Sequence, residues 1–224
     1  MDERIPVEIY AFVGVIGSGK SYRLEQMKRE YNGVGQVVIT ADFSDGIRDL
    51  TRQIFGYSSE FGDVNSEEYR DWKNNVVCEF SEITSHGVTE NRMKGRDVLC
   101  RIGEGVKSVA GVDVWAKYTT ARIYDQVCKQ PFRSDVCVSG VRVLIGSVRF
   151  KDEVQSIFQL YRDLMDKAQF LSMEPQIHFI FCDYHSPSYD ATSRHISEAF
   201  AQAVIGLGRY KDGDDITEIV NYVV

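Results

Sequence analysis

The sequence predicts an α/β protein of three layers, with a mostly parallel central sheet between helices and a small helical, lid-like insertion. Three observations carry that expectation. The apolar, largely β-branched runs VEIYAFV, QVVIT and VRVLIG each precede a segment whose apolar residues recur at helical spacing, and such alternation builds parallel strands joined by crossover helices. The first run stops at a glycine-rich octapeptide ending in Lys-Ser, just before the first helical segment. With 224 residues, 43% of them hydrophobic, and only 4 prolines, the chain can bury one sizeable core, so a single domain over 1–224 is expected.

Residues 7–13, VEIYAFV, read as a buried strand ending at Gly14. After Lys20 the period changes: Leu24, Met27 and Tyr31 recur at helical spacing, Lys28 and Arg29 sit near the negative end, and NGVG stops the helix. QVVIT is the second strand, after which Ser44 caps a helix with Ile47, Leu50, Ile54 and Phe55 on its apolar face. From Ser66 to Thr84 the spacing of Tyr69, Trp72, Val76, Val77, Phe80 and Ile83 predicts one long helix with Glu67 and Glu68 at its positive end. Residues 89–111, TENRMKGRDVLCRIGEGVKSVAG, are the most basic and glycine-rich stretch, expected as a mobile, lid-like loop flanking a short helix. VDVWAKYTTARIYDQV is a further helix, broken by Pro131. VRVLIG is the third strand, followed by a helix with Val154, Ile157, Phe158, Tyr161, Leu164 and Met165 on one face, and IHFIFCDY is the next strand. AVIGL, residues 203–207, is expected as a last strand, and Asp215 to Glu218 has the spacing of a capping box opening a C-terminal helix. In such a sheet the ligand crevice lies at the carboxyl ends of the strands.

Charge narrows the partners. With 26 basic against 33 acidic side chains the net charge of -7 repels a nucleic-acid backbone, whereas a local cluster of amides and cations still holds a small anion. No apolar run is long enough to span a bilayer, and the start MDERIPVEIY lacks the pattern of a signal peptide, so a cytoplasmic protein without membrane contact is expected. The 5 cysteines show no C-x-x-C pair and read as reduced thiols. His86, His178, His185 and His195 form no metal set; His178 alternates within a strand and is expected as a hydrogen-bonded core or interface residue, and His195 is expected as a helix-opening residue near the bound ligand.

The octapeptide Gly14-Val15-Ile16-Gly17-Ser18-Gly19-Lys20-Ser21 matches G-x-x-x-x-G-K-S between a strand and a helix, which is the context that motif requires. Its glycines let the backbone curl so that successive N–H groups point at phosphate oxygens, and the helix adds its positive end. Lys20 then reaches the β and γ phosphates, and Ser21 offers a hydroxyl to Mg²⁺. A nucleoside triphosphate site follows from these residues. D-x-x-G and N-K-x-D do not occur where a GTPase would need them.

Several segments together resemble the bacteriophage deoxynucleoside monophosphate kinases, a branch of the P-loop nucleoside monophosphate kinases, and their shared order runs through most of the chain. ADFSDGIRDL (41–50) is similar to the family's A-D-P-L-K, RDVLCRIGEGV (96–106) to R-R-L-L-Q-x-L-G-T, and DVWAK (113–117) to a D-x-W helix. VLIGSVRFKDEV (143–154) is similar to a strand followed by D-V-R-F-x-N-E. HISE (195–198) resembles H-x-S/T-E, and DGDDITEIV the closing N-D-G-S-x-E-E-L.

The resemblance implies transfer of the γ-phosphoryl group of ATP to a deoxynucleoside monophosphate, with Mg²⁺ as cofactor. It places Arg149 with Lys20 on phosphate and Arg96 on the acceptor phosphate, with Asp97 replacing the family's second arginine. Asp42 would hold the acceptor's sugar or base or a metal-bound water, or merely cap a turn; Arg48 would stand in for the lysine of A-D-P-L-K, and Trp115 would line the acceptor pocket. Ser147 stands where the family carries an aspartate that supports the metal, so Asp183 or Asp42 would take that part. Two alternatives stay open: a catalytically weakened nucleotide binder, and a P-loop kinase for another small metabolite such as phosphomevalonate. Small nucleotides are the expected partners, and a homodimer is compatible with the reading.

Overall fold

The computed structural model describes residues 4–15, 17–33, 35–55, 66–85, 87–132, 138–183, 200, 203–204 and 210–223. The chain divides into two compact units, one formed by residues 1–43 and 116–224, the other by 44–115.

The first unit is built on four parallel strands in the order β2-β5-β1-β6. These are β1 (Ile5–Val13), β2 (Gln36–Asp42), β5 (Gly140–Val148) and β6 (Met173–Phe181). Alternation along each strand decides the layers. Val7, Ile9, Ala11 and Val13 of β1, with Val141, Val143 and Ile145 of β5, face one side and enter a core with Val154, Ile157, Leu160 and Leu164 of α6 (Lys151–Lys167) and Ile123 and Val127 of α5 (Val114–Cys128). Phe12, Leu144 and Ile180 face the other side and pack with Met27 of α1 (Lys20–Glu30). A sheet covered on both faces explains why its strands read as near-continuous apolar runs. Each helix returns the chain to the strands' starting ends, so the strands run parallel and their carboxyl ends converge on one edge. The three-layer α/β arrangement expected from the sequence is what this unit adopts. Among the described residues, no helix is long and apolar enough to cross a membrane.

The second unit contains α2 (Asp45–Phe55), α3 (Glu67–Asn74), the antiparallel hairpin β3 (Val76–Thr84) and β4 (Gly87–Lys94), and α4 (Gly95–Ala110). Two expectations are corrected here. The predicted helix over 66–84 is only a two-turn helix capped by Ser66, whose Oγ accepts from Tyr69 N at 3.1 Å; Val76 onward is strand. The stretch 89–111 is no loop around a short helix: it holds most of β4 and all 16 residues of α4. Gly95 lies where a Cβ would collide with the Trp72 ring, and Gly103 approaches Ile47, so both glycines serve close packing.

At the C-terminus the first unit closes with α7 (Thr217–Val223). Asp215 does not form the expected box with Glu218; its Oδ1 accepts from Thr217 N at 2.9 Å while its backbone bridges to Ile180. Ala203 and Val204 are helical, so AVIGL is not the strand predicted, and 205–207 lie outside the described residues, as do Ile16, His86, His185 and His195.

Leu164 is fully buried between α6 and the sheet. Leu164→Ala should lower unfolding free energy by about 2–5 kcal/mol, read from the urea midpoint at unchanged m-value.

Candidate phosphate-binding site

β1 delivers the chain to the sheet's carboxyl edge, where Gly14 follows directly. A Cβ at Gly14 would collide with the backbone carbonyl of Cys182 and with Ser18 Oγ, so only glycine fits. Cys182 N donates to Val13 O at 2.8 Å, which continues the β1–β6 ladder into the loop. Gly17 and Gly19 both have φ 82°, in the left-handed region open to glycine, and Ser18 N closes a turn onto Val15 O at 3.2 Å. Gly19 sits just before α1, and Arg23 N donates to its carbonyl at 2.9 Å as the helix begins.

Lys20 is the first residue of α1 and only 7% exposed. Its ammonium turns back into the loop and donates to Gly14 O at 2.7 Å and Val15 O at 2.6 Å. A buried cation is stable only with such partners, and the two carbonyls hold it at the mouth of the loop. Ser18 is 1% exposed, and its hydroxyl has no hydrogen-bond partner. Ser21 lies exposed in the first turn. An orphaned buried hydroxyl, a left-handed glycine pair and an ammonium turned back into the loop together fit an anion with several acceptor oxygens.

Two flanks border this loop. On the β6 side, Asp183 N donates to Asp212 Oδ1 at 3.0 Å, and burial pushes the Cys182 thiol up to about 12, Asp212 adding to the rise while Lys20 and Arg23 oppose it. Cys182 is therefore a neutral thiol beside the lysine. On the β5 side, Ala11 pairs with Ile145 and Val13 with Val148, so two residues of β5, Gly146 and Ser147, oppose Phe12 alone. Ser147 takes up that bulge at φ 59°, the one positive φ outside glycine among the described residues. Asp42 ends β2 opposite Gly146, its Oδ2 3.3 Å from where a Cβ on Gly146 would be.

Beyond the bulge, Glu153 accepts from Arg149 N at 2.6 Å and Phe150 N at 3.0 Å, fixing the turn that carries Arg149. Glu153 is 6% exposed, and burial raises its carboxyl to about 7 against the two backbone hydrogen bonds, with Asp42 and Asp152 adding repulsion. Arg149 is half-buried, and its Nε has no hydrogen-bond partner. Sequence reasoning missed Glu153; its position three residues after Phe150 was the available signal.

Lys20, Gly14 and Ser18 thus come together in the loop, Arg149 N donates to Glu153, and Asp42 lies near enough to Glu153 to repel it. In the second unit, Arg48 pairs with Asp45, Arg96 is exposed on α4, and the Trp115 indole is buried and donates to Gly103 O at 3.0 Å. His178 is hydrogen-bonded as expected, its Nδ1 2.8 Å from Asp215 Oδ2, but it stands half-buried on β6 rather than in the core. Among the described residues no group of three or more His, Cys, Asp or Glu side chains is placed to hold a metal ion.

No family model matches the chain, and no curated protein does. Among solved structures, the hexameric APS kinase from Thiobacillus denitrificans aligns with 92% of this chain and 29% of its own, at 17% identity and a TM-score of 0.25. The chain thus spans under a third of that protein's length, and a likeness of that degree transfers no activity.

The methyl added by Gly14→Ala must displace backbone of either β6 or the loop. Affinity of the loop for a polyphosphate anion should fall at least tenfold, about 1.4 kcal/mol, by calorimetry on folded protein. Glu153 generates a second expectation. Its carboxyl is raised from about 4.5 to about 7 in the fold, so the stability this group contributes is full below about pH 4.5 and is lost as the pH rises through about 7, by roughly 3 kcal/mol. Glu153→Gln keeps an acceptor oxygen without the charge. Its urea stability relative to wild type should therefore rise between about pH 5 and pH 8, where a flat difference would refute the buried carboxyl's part.

Proposed function

We propose that the chain is a P-loop kinase that transfers the γ-phosphoryl group of ATP to a deoxynucleoside monophosphate, giving ADP and a deoxynucleoside diphosphate. The observation that carries the kinase reading is the Lys20 ammonium held inside a glycine-curled loop at the carboxyl edge of a parallel sheet. The acceptor class rests on the resemblance of the ordered segments alone.

The acceptor phosphate is already an anion, so its oxygen attacks the γ phosphorus without a general base, and the bond to the β–γ bridging oxygen breaks to release ADP. The chain's work is positioning and charge neutralisation. Lys20 and the loop amides take the β and γ oxygens. Arg149, braced through Glu153, adds a guanidinium on the β5 side, where its unpartnered Nε leaves a donor to spend. Ser21 and Asp183 would hold Mg²⁺, which neutralises charge on the phosphate oxygens, with Asp42 as the other candidate acid. Arg96, Arg48 and Trp115 are assigned to the acceptor through the resemblance.

One observation favours a weaker enzyme. Ser147 replaces the expected aspartate and sits on a left-handed bulge, so the β5 end offers the metal no carboxylate of its own. A nucleotide binder with slow turnover is the second reading.

A panel of deoxynucleoside monophosphates, with phosphomevalonate included, scored for acceptor-dependent ADP release, tests both. Release that depends on a deoxynucleoside monophosphate and drops about 10²–10³-fold in Lys20→Ala supports the first reading. ATP binding without turnover, with activity gained by Ser147→Asp, supports the second; aspartate tolerates a left-handed backbone better than most residues. Acceptor-independent hydrolysis would refute the kinase.

A further inference from the structure

The hairpin of the second unit has an unpaired outer edge. β3 and β4 form a two-stranded sheet by themselves, and among the described residues no third strand joins either side. A two-stranded ribbon with open edges is a template for strand addition unless charge or proline blunts it. β4, GVTENRMK, carries no proline, and its charges are arranged in a particular way.

We infer that β4 is the dimer interface of this protein: β4 of a second copy adds antiparallel to it, with the two-fold axis at Asn91. Around that axis Glu90 faces Arg92 of the other copy, twice, and Val88 stands opposite Lys94, whose N–H already donates to Asp97 Oδ2 at 3.1 Å, so the paired stretch is centred on residues 89–93. Opposite residues in an antiparallel pair share a face, which restricts a symmetric pairing to shifts of two residues. The two neighbouring registers are worse. Centring on Glu90 sets carboxylate against carboxylate, and centring on Arg92 sets guanidinium against guanidinium. Charge therefore selects both the strand and the register. β3 offers no such solution, since its only charged residues are Glu79 and Glu82.

The surroundings fit a buried ladder at this edge. Within one copy Arg92 already pairs with Glu79 at 3.1 Å, and Arg92 is 71% exposed, so the guanidinium can bridge Glu79 and the incoming Glu90. Ile83 and Val88 pair across the hairpin at 86% and 67% exposure, an apolar pair on the face that carries Glu90 and Arg92. The stem of Lys94 from the second copy would lie against Val88 and shield it. The resulting sheet has the order β3-β4-β4-β3, with main-chain hydrogen bonds supplying affinity and the charge pairs supplying register.

Charge exchange tests this through sedimentation and light scattering over a concentration series. Wild type should show a concentration-dependent dimer. Glu90→Arg and Arg92→Glu each place like charges at both symmetric contacts, and each should raise the dimer Kd at least tenfold with unchanged far-UV circular dichroism. Mixing the two single variants restores both attractive contacts and should give a heterodimer, and Glu90→Arg/Arg92→Glu in one chain should recover the homodimer. A wild type that stays monomeric at every soluble concentration would overturn the proposal, and so would single variants that dimerise as wild type does. If a single variant loses its fold, the doubly exchanged chain still decides, because a folded monomer there refutes the pairing.

Discussion

The ammonium of Lys20 is the group around which the first unit is arranged. It is buried, so it must be met by oxygen, and it donates to the carbonyls of Gly14 and Val15, six and five residues earlier in the chain. A lysine reaches back that far only if the backbone between is curled, and the curl needs φ 82° at Gly17 and Gly19. The carbonyl of Gly14 is in turn fixed because the chain there is pressed against Cys182, one residue beyond β6. β1 and β6 must therefore be neighbours in register up to Val13 and Phe181, and the parallel order of the sheet supplies that. Fold and site are one constraint: the sheet exists in this order, and the loop closes on its lysine because of it.

On the other side of β1 the sheet gives up regularity at the same level. Gly146 and Ser147 together oppose Phe12, and the bulge turns the chain so that Arg149 and the start of α6 lie beside the β2 and β5 ends. A non-glycine residue at φ 59° costs on the order of 1–3 kcal/mol, and such strain persists only where its surroundings over-determine it. Glu153 is part of that surrounding. It satisfies two backbone donors in the turn directly after the bulge, and it does so as a carboxyl that burial has moved toward neutrality. The strain at Ser147 and the cost of burying Glu153 thus sit at the two ends of one short segment, the one that carries Arg149.

The first unit was legible because its signals are local. A buried parallel strand is an unbroken apolar run, a crossover helix has an apolar stripe, and the octapeptide joins them with no insertion, so each was readable in a short window. The second unit was not, for a physical reason visible in residues 66–84. Tyr69, Trp72, Val76, Phe80 and Ile83 recur at helical spacing, and the same segment from Val76 is β-branched and alternates well enough to serve as a strand. What decides is the partner strand 87–94, whose hydrogen bonds come from outside any window. The glycines of 89–111 misled similarly. Gly95 and Gly103 signal close packing against Trp72 and Ile47, and composition cannot separate that from mobility. Glu153 went unread because a capping acid and a site acid look alike until burial is known, and Asp42 was readable only as a residue at a strand end.

The net charge of -7 and an anion site are reconciled by where the acids stand. The loop itself presents amides and one ammonium, but Asp42 occupies one flank, at the end of β2, and Asp183 with Asp212 the other. At a few ångströms the ammonium and aligned amides dominate, because they are aimed and desolvated; beyond a Debye length of about 8 Å the acidic surface is screened. Between those limits the flanking carboxylates act on whatever enters. A bare triphosphate meets repulsion from both sides, while one whose phosphate oxygens are already neutralised by a divalent ion meets carboxylates as ligands or as acceptors for the ion's waters. On the proposed reading, the acidic flanks are thus what makes the loop selective for the metal complex of its nucleotide, and the cation of Lys20 alone would not be.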